Sequence, residues 1–252
     1  MVPLSVVIIT LNEEKNLERC LRSVKYIADE IVVLDSFSTD RTREIAESYG
    51  ARFIQEKFRG YGGQKNYATE LASHDWVLSL DADEALSPEL ESGIKTVLRN
   101  PEFDAYSLPR LTNYCGHWIR HCGWYPDRKI RLYNRTKGAW RSETIHEFWA
   151  SHMPSPVGML KGDLWHYSYY TLSDHLKQIE KFTEIMAREA VAKGKKAPLS
   201  KVLLAPVWKF FSAYFLQLGM LDGYAGFLVC RLSAFATFMK YSKIRQYASM
   251  KN

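Results

Sequence analysis

Two aspartates one residue apart, Asp81 and Asp83, stand at the end of the apolar run 76–80 (WVLSL). On an extended segment such side chains point the same way. Two like charges on one side are costly unless a cation or a donor joins them. Mg2+ or Mn2+ shared with a substrate's phosphates suits the pair, because hard divalent cations take carboxylate oxygen and keep positions open for phosphate. An isolated pair of this kind is more often a solvated acidic turn before a helix, with Asp83 or Glu84 as caps. Here the pair has company. Thr10-Leu11-Asn12-Glu13 closes a first apolar run, Leu4–Thr10 (LSVVIIT), and Asp35-Ser36 closes a second, 31–34 (IVVL). Polar clusters at equivalent strand ends are what a ligand site looks like in an open α/β sheet.

The elements that must position these residues follow from periodicity. Leu4–Thr10, 31–34 and 76–80 are β-branched or apolar runs of the kind buried on both faces of a sheet, and 51–55 is a further short strand. Between them, 13–24 has helical spacing through Leu17, Cys20, Leu21 and Val24. Ser38-Thr39-Asp40 can cap a helix carrying Ile45 and Ala46 inward, and 64–73 is helical after a glycine-rich loop at 58–63. Ser87-Pro88-Glu89 opens another helix, with proline in its first turn. Strands alternating with helices over the first hundred or so residues imply an α/β fold with a mostly parallel sheet covered on both faces. Residues 103–170, rich in Trp, Tyr, His and Arg, read as a more antiparallel half. Helical period returns over 171–193, with Thr171 and Asp174 as a capping box. The expected domains are 1–192, split near residue 100 into two halves, and a helical region over 193–252.

Composition narrows the class. With 252 residues, 46% hydrophobic and 13% aromatic, the chain can bury a sizeable core and is not a disordered one. Four cysteines in this length are not a disulfide scaffold. The N-terminal run lacks a basic leader and a cleavage site and reads as a buried strand, so a reducing cytoplasm is expected. Cys115, His117, His121 and Cys122 fall within eight residues, too tightly bunched for the two separated ligand pairs of structural zinc. The overall charge of +6 is uneven: residues 191–252 carry ten Lys/Arg against Asp222 alone, +9, and residues 1–190 carry −3. A basic, aromatic tail suggests an anionic partner, a membrane surface or nucleic acid. Residues 202–220 approach the ~20 apolar residues of a spanning helix, but Pro206 and Lys209 interrupt them. Aromatics flanked by Lys suit an interfacial helix pair better than a span; packing on the body or a dimer contact is the alternative.

The ordered segments SVVIITLNEEKNL, VVLDSFSTDRT, GGQKNYA and WVLSLDADE closely resemble family-2 glycosyltransferases of the GT-A, Rossmann-like fold. YPDRKIRLYNR (125–135), ETIHE (143–147) and LWHYSYYTL (164–172) resemble a branch that contains bacterial lipopolysaccharide-core β-1,4-glucosyltransferases. The resemblance implies that Thr10, Asn12 and Glu13 line the base and ribose pocket, that Asp35 contacts the uracil or ribose, and that Lys65 reaches the nucleotide. It makes Asp81 and Asp83 the nucleotide–metal motif, with Asp83 the more direct ligand of Mg2+ or Mn2+. His166 resembles the histidine that completes the metal site in this fold; otherwise it is a core or stacking residue. Ser36-Phe37-Ser38 departs from the commoner glycine-containing loop.

Glycosyl transfer needs a carboxylate to take the acceptor hydroxyl's proton. Glu147, preceded by His146, is the candidate base, with Asp127 the alternative and an ordinary surface glutamate the bland reading. Arg128 and Arg131 are candidates to steady the diphosphate as charge builds on it, or are surface charges. The implied reaction is inverting transfer of a sugar, glucose first, from a UDP-sugar to a hydroxyl of a lipid-anchored oligosaccharide such as an inner-core heptose of lipopolysaccharide. The enzyme would work peripherally on the inner face of the bacterial inner membrane. No QxxRW motif of processive synthases is present, which favours single-sugar addition. Two alternatives stand: a same-fold transferase acting on a lipid phosphate or peptide, and a non-catalytic nucleotide or nucleic-acid binder. The acidic strand ends, which repel phosphate without a metal, argue against nucleic acid.

Overall fold

The computed structural model describes residues 1–143 and 146–250. The chain forms two compact units: Met1–Leu111 with Asp127–Tyr167, and Thr112–Pro126 with Ser168–Asn252. The first unit starts with β1 (Leu4–Thr10), α1 (Leu17–Val24), β2 (Glu30–Asp35), α2 (Thr42–Ser48), β3 (Arg52–Gln55), α3 (Tyr61–Leu71), β4 (Trp76–Asp81), β5 (Glu84–Leu86) and α4 (Pro88–Val97). It continues through β6 (Ala105–Tyr114), whose end pairs with β7 (His117–Ile119) in the second unit. Then come β8 (Asp127–Asn134), β9 (Gly138–Glu143), β10 (His146–Ser151), β11 (Gly158–Met159) and β12 (Leu164–Tyr169). The main sheet runs β3-β2-β1-β4-β8-β6-β12-β5. Its first four strands are parallel, and β8 turns the direction by pairing antiparallel with β4. β9 and β10 form a separate antiparallel ribbon.

The unbroken apolar runs are explained by burial on both sheet faces. Leu4, Val6 and Ile8 of β1 pack with Leu17, Cys20 and Leu21 of α1 and Leu90 and Ile94 of α4. Val7, one residue out of phase, packs the other way with Val32, Ala68 of α3, Tyr133 and Trp140. The two-residue alternation of a strand thus serves two cores at once.

Element ends differ from the periodicity in two places. The helix expected from residue 13 starts at Leu17, because Glu13 to Asn16 close a turn in which the Asn16 amide donates to the Glu13 carbonyl at 3.0 Å. The helix expected from 64 starts at Tyr61, so Gly62 and Gly63, which look like loop, lie in its first turn. Gly60, at φ +79°, sets that entry, and its carbonyl accepts the Gln64 amide at 2.8 Å. Ser87 caps α4 by accepting the Leu90 amide, and the Thr171–Asp174 capping box is present.

The second unit holds α5 (Leu172–Ala192), α6 (Leu199–Phe211), a π turn over Ser212–Leu216, a 3-10 turn over Gly219–Asp222 and α7 (Gly223–Ser249). α5 falls in this unit, whereas the sequence reading divides the chain at 192–193. The packing reason is that Ala187 and Val191 of α5 share a core with Val202 of α6 and Ile244 of α7. Gly226 allows the tightest approach: a Cβ there would stand 2.1 Å from the Gly219 carbonyl oxygen. The four cysteines are free thiols.

One face of α6 is inverted in character. Val202 and Ala213 are buried, while Leu203, Leu204, Val207, Trp208 and Phe211 are 44–67% exposed. Among the described residues, Leu199–Leu216 is the one helical stretch that length and composition would allow to cross a membrane.

Candidate active site

All twelve residues singled out for the site belong to the first unit. In the sheet, β1 pairs with β2 so that Thr10 lies opposite Asp35, and with β4 so that Ile9 lies opposite Asp81. The carboxyl ends of three parallel strands therefore stand side by side, the position where open α/β sheets bind ligands.

Over β1 and β2 the polar groups organise one another. Thr10 Oγ1 donates to Asp35 Oδ1 at 2.9 Å. Ser38 donates its hydroxyl to Oδ1 and its amide to Oδ2, and Gln55 Nε2 donates to Oδ2 at 3.2 Å. Asp35 is fully buried with both oxygens engaged. It shapes the loop from beneath, with its carboxylate turned to Thr10, Ser38 and Gln55. Asn12, exposed and at φ +55°, pins the same loop by accepting the Thr39 amide at 2.9 Å. Phe37 sits at φ +65° with its ring half exposed. That left-handed conformation favours glycine, which is why a glycine-containing loop is the commoner form.

Beyond these ends lies a chain of alternating charges. Lys65 of α3, fully buried, places Nζ 2.9 Å from both Asp81 Oδ1 and Glu147 Oε1. It is clamped between its two carboxylates. Arg131 of β8, 2% exposed, reaches Asp81 Oδ2 at 2.5 Å and Glu84 Oε1 at 2.7 Å. Arg110 of β6 continues the chain to Glu84 at 3.5 Å and to Asp127 at 2.5 Å, and Lys129 closes on Asp127 at 3.0 Å. The buried ring of Trp140 lies 4.8 Å from Lys65 Nζ and 5.8 Å from the Arg131 guanidinium, supplying a π face to both cations.

A β-bulge aims Arg131. Leu132 pairs with Tyr106 and Ile130 with Ser107, so Arg131 is the extra residue between them. Bulges of this kind redirect a side chain and recur beside active sites.

These neighbours set the charge states. Burial alone would push the Asp81 carboxyl up, but Arg131 and Lys65 hold it well below the usual carboxylate range. Asp127 follows the same logic: burial raises it, and Arg110 and Lys129 more than offset that. A carboxylate held low by two cations is a poor proton acceptor. Glu147 is engaged through Oε1, leaving Oε2 without a hydrogen-bond partner among the described residues. Thr144 and Ile145 of the same motif, and the His146 side chain, lie outside the described residues. Arg128 is exposed on β8 and has no carboxylate partner among the described residues.

Asp83 faces away from this chain. Its Oδ2 lies 3.2 Å from His166 Nε2, and its carbonyl accepts the Tyr167 amide at 3.0 Å, tying β12 to the motif. Burial would raise Asp83, while the adjacent His166 holds it below its ordinary value. Glu13 is pushed up to about 7 by burial and by the charges of Asp83, Asp40 and Asp81, against a hydrogen bond from Asn16.

Among the described residues no three His, Cys, Asp or Glu side chains converge closely enough to cage a metal ion. The expected trio is divided: Asp83 and His166 are together, and Asp81 is drawn off by Arg131 and Lys65. The remaining set still fits a divalent cation of the Mg2+ or Mn2+ type, which takes one or two protein ligands and completes its shell with substrate phosphate.

Glu84 and Arg110 were not singled out in the sequence, although they join Arg131 and Asp127 into one network. Glu84 has a visible signal, adjacency to the acidic motif. Arg110 has none, because only the β6–β8 register, which sets Arg110 opposite Asp127, gives it a role.

The family model for glycosyl transferase family 2 matches residues 5–155. Relatives extend the match to the whole chain. A lipopolysaccharide core biosynthesis glycosyltransferase, LpsC of Rhizobium meliloti, is 31% identical over 99% of this chain and 94% of its own. An uncharacterized glycosyltransferase of Rickettsia typhi is 32% identical over 98% of this chain and 88% of its own. The chain belongs to glycosyltransferase family 2. Among solved structures, glucosyl-3-phosphoglycerate synthase of Mycobacterium tuberculosis, in complex with Mn2+, UDP and glucosyl-3-phosphoglycerate, overlaps 54% of this chain and 57% of its own. The TM-score is 0.42 and the identity 22%.

Proposed function

We propose that this glycosyltransferase moves a sugar, glucose first among candidates, from a UDP-sugar to a hydroxyl of a lipid-anchored oligosaccharide, with inversion. The observation that carries the reading is the Lys65 bridge, which sets Glu147 one side chain away from Asp81 at the strand ends. The acceptor oxygen attacks the anomeric carbon while its proton passes to Glu147 Oε2, and the bond from that carbon to the diphosphate breaks. Glu147 stays oriented because Oε1 is held by Lys65. Exposed Arg128 meets the charge that builds on the departing diphosphate. A divalent cation on Asp83 and His166 would neutralise that diphosphate. The similarity to a lipopolysaccharide core glycosyltransferase supports the acceptor class.

The outward apolar face of α6 and the +9 charge of residues 191–252 support peripheral attachment to an anionic membrane. The deciding experiment is a screen of UDP-sugars against core-oligosaccharide acceptors, with linkage read by NMR. A β-linked product that Glu147→Gln abolishes, while UDP binding persists, is expected. Normal transfer by Glu147→Gln would remove Glu147 from the mechanism.

A further inference from the structure

The segment leading into α6 and the last turns of α7 border an open cavity of about 520 Å3, lined by Ser242 and the exposed Lys196, Arg245 and Gln246 over a floor of Ala197 and Val202. The size lies within the roughly 300–1,000 Å3 of small-ligand sites. No carboxylate lines it. Three basic groups of this unit are neutralised, Arg188 by Glu184, Lys193 by Glu189, and Lys243 by Glu180 and Glu184, and none of the three lines the cavity. Lys196 and Arg245 have no ion-pair partner among the described residues. The one acidic residue of 191–252, Asp222, is engaged elsewhere by His121 and by the Arg120 and His121 amides.

Arg245, though exposed, is tethered at one point. Its Nη1 donates to the Ala197 carbonyl at 3.3 Å, which leaves Nε and Nη2 to a ligand. A guanidinium tethered through one nitrogen, an ammonium, a hydroxyl and an amide around a small volume match a tetrahedral oxyanion. The floor is apolar and closed, with Ala197 4% and Val202 5% exposed. On the same turn of α6, Leu199 and Leu203 point outward at 55% and 56% exposure. A phosphate carrying hydrocarbon would meet cations within the cavity and apolar side chains at its edge.

We propose that this cavity binds the phosphate of an anionic lipid headgroup, a discrete site within the surface that the membrane reading treats as diffuse charge. The proposal rests on that reading only for the source of the phosphate.

The test uses the full chain and co-flotation with phosphatidylcholine vesicles, with and without phosphatidic acid. Lys196→Ala/Arg245→Ala is compared with Arg231→Ala/Lys240→Ala, which removes the same charge outside the cavity. Inorganic phosphate is titrated separately. Both double variants lose the diffuse attraction equally. The cavity variant is expected to lose roughly a further tenfold in affinity for phosphatidic acid vesicles, the loss of one charge-assisted contact. Arg245→Lys, which keeps the charge, recovers part of it, and melting curves check the fold of each variant. Equal losses in the two double variants would overturn the site. Tight, cavity-dependent binding of inorganic phosphate that displaces the vesicles would overturn the lipid source. Failure of the wild type to bind any vesicle would instead defeat the membrane reading beneath it.

Discussion

Lys65→Met removes the cation that two carboxylates share. The methionine fills similar space without charge, so the loss is electrostatic. Lys65 is fully buried and sits 2.9 Å from both Asp81 and Glu147. Deleting one member of a buried charge group costs about 3–5 kcal/mol, because its partners stay behind uncompensated. Asp81 and Glu147 keep 26% and 21% of their side chains exposed, so water shares the load. The low end, about 3 kcal/mol, is therefore the expected loss. For a chain of this size that lowers the melting temperature by ~6–12 °C. Lys65→Arg, which restores the charge in an altered shape, should recover part of the loss.

The pH dependence has a defined sign. Asp81 is held below its unfolded value, so its pairing stabilises the fold above about pH 4 and that contribution fades as the pH falls through that value. In Lys65→Met, Asp81 loses one of the two cations that hold it low, so the gap to wild type should narrow toward pH 4. Urea unfolding followed by tryptophan fluorescence between pH 4 and 8 measures both effects. A loss below about 1 kcal/mol, or a gap that widens on acidification, would refute the clamp.

Four further outcomes are expected. Asp127→Asn should leave the transfer rate within a few-fold of wild type in a steady-state assay, since Asp127 is already committed to Arg110 and Lys129. Phe37→Gly should hold or raise the urea midpoint. The relief of about 1 kcal/mol of left-handed strain is set against a similar glycine entropy cost, and a clear loss would contradict that balance. Ser87→Ala should cost about 1–2 kcal/mol by urea titration, because Ser87 Oγ accepts the amides of both Leu90 and Asp163. Leu204→Glu with Trp208→Glu should leave the melting temperature unchanged, both side chains being over 60% exposed, yet release the protein from anionic vesicles in co-flotation.

The α/β architecture was legible because three of the four parallel strands, β1, β2 and β4, are largely buried and announce themselves as apolar runs. The strand ends at Thr10, Asp35 and Asp81 were legible for the same reason. Lys65 shows where sequence reading stops. Its type and its place in GGQKNYA mark a site residue, but whether it extends to a ligand or folds inward depends on Glu147, 82 positions away. Arg131 was singled out for its charge alone. The bulge that turns it toward Asp81 exists only in the pairing with β6, which no local pattern encodes. The helix start at Tyr61 was hidden because Gly62 and Gly63 disfavour helix by propensity, and the chain overrides that with the turn at Gly60.

The charge network also orders events during synthesis. Asp81 meets Lys65 early, but Arg131 follows it by 50 positions, and the second carboxylate on Lys65 follows that lysine by 82. A nascent chain that has completed its four parallel strands therefore holds acidic strand ends at Asp81, Asp83 and Glu84 while β8 and β10 are still to emerge. Closing such long loops is slow, and an unfinished edge is exposed in the meantime. Until Arg110 and Arg131 arrive, Lys65 is the one cation of the network already in the chain beside these carboxylates, so the site becomes balanced only when the later strands close on it.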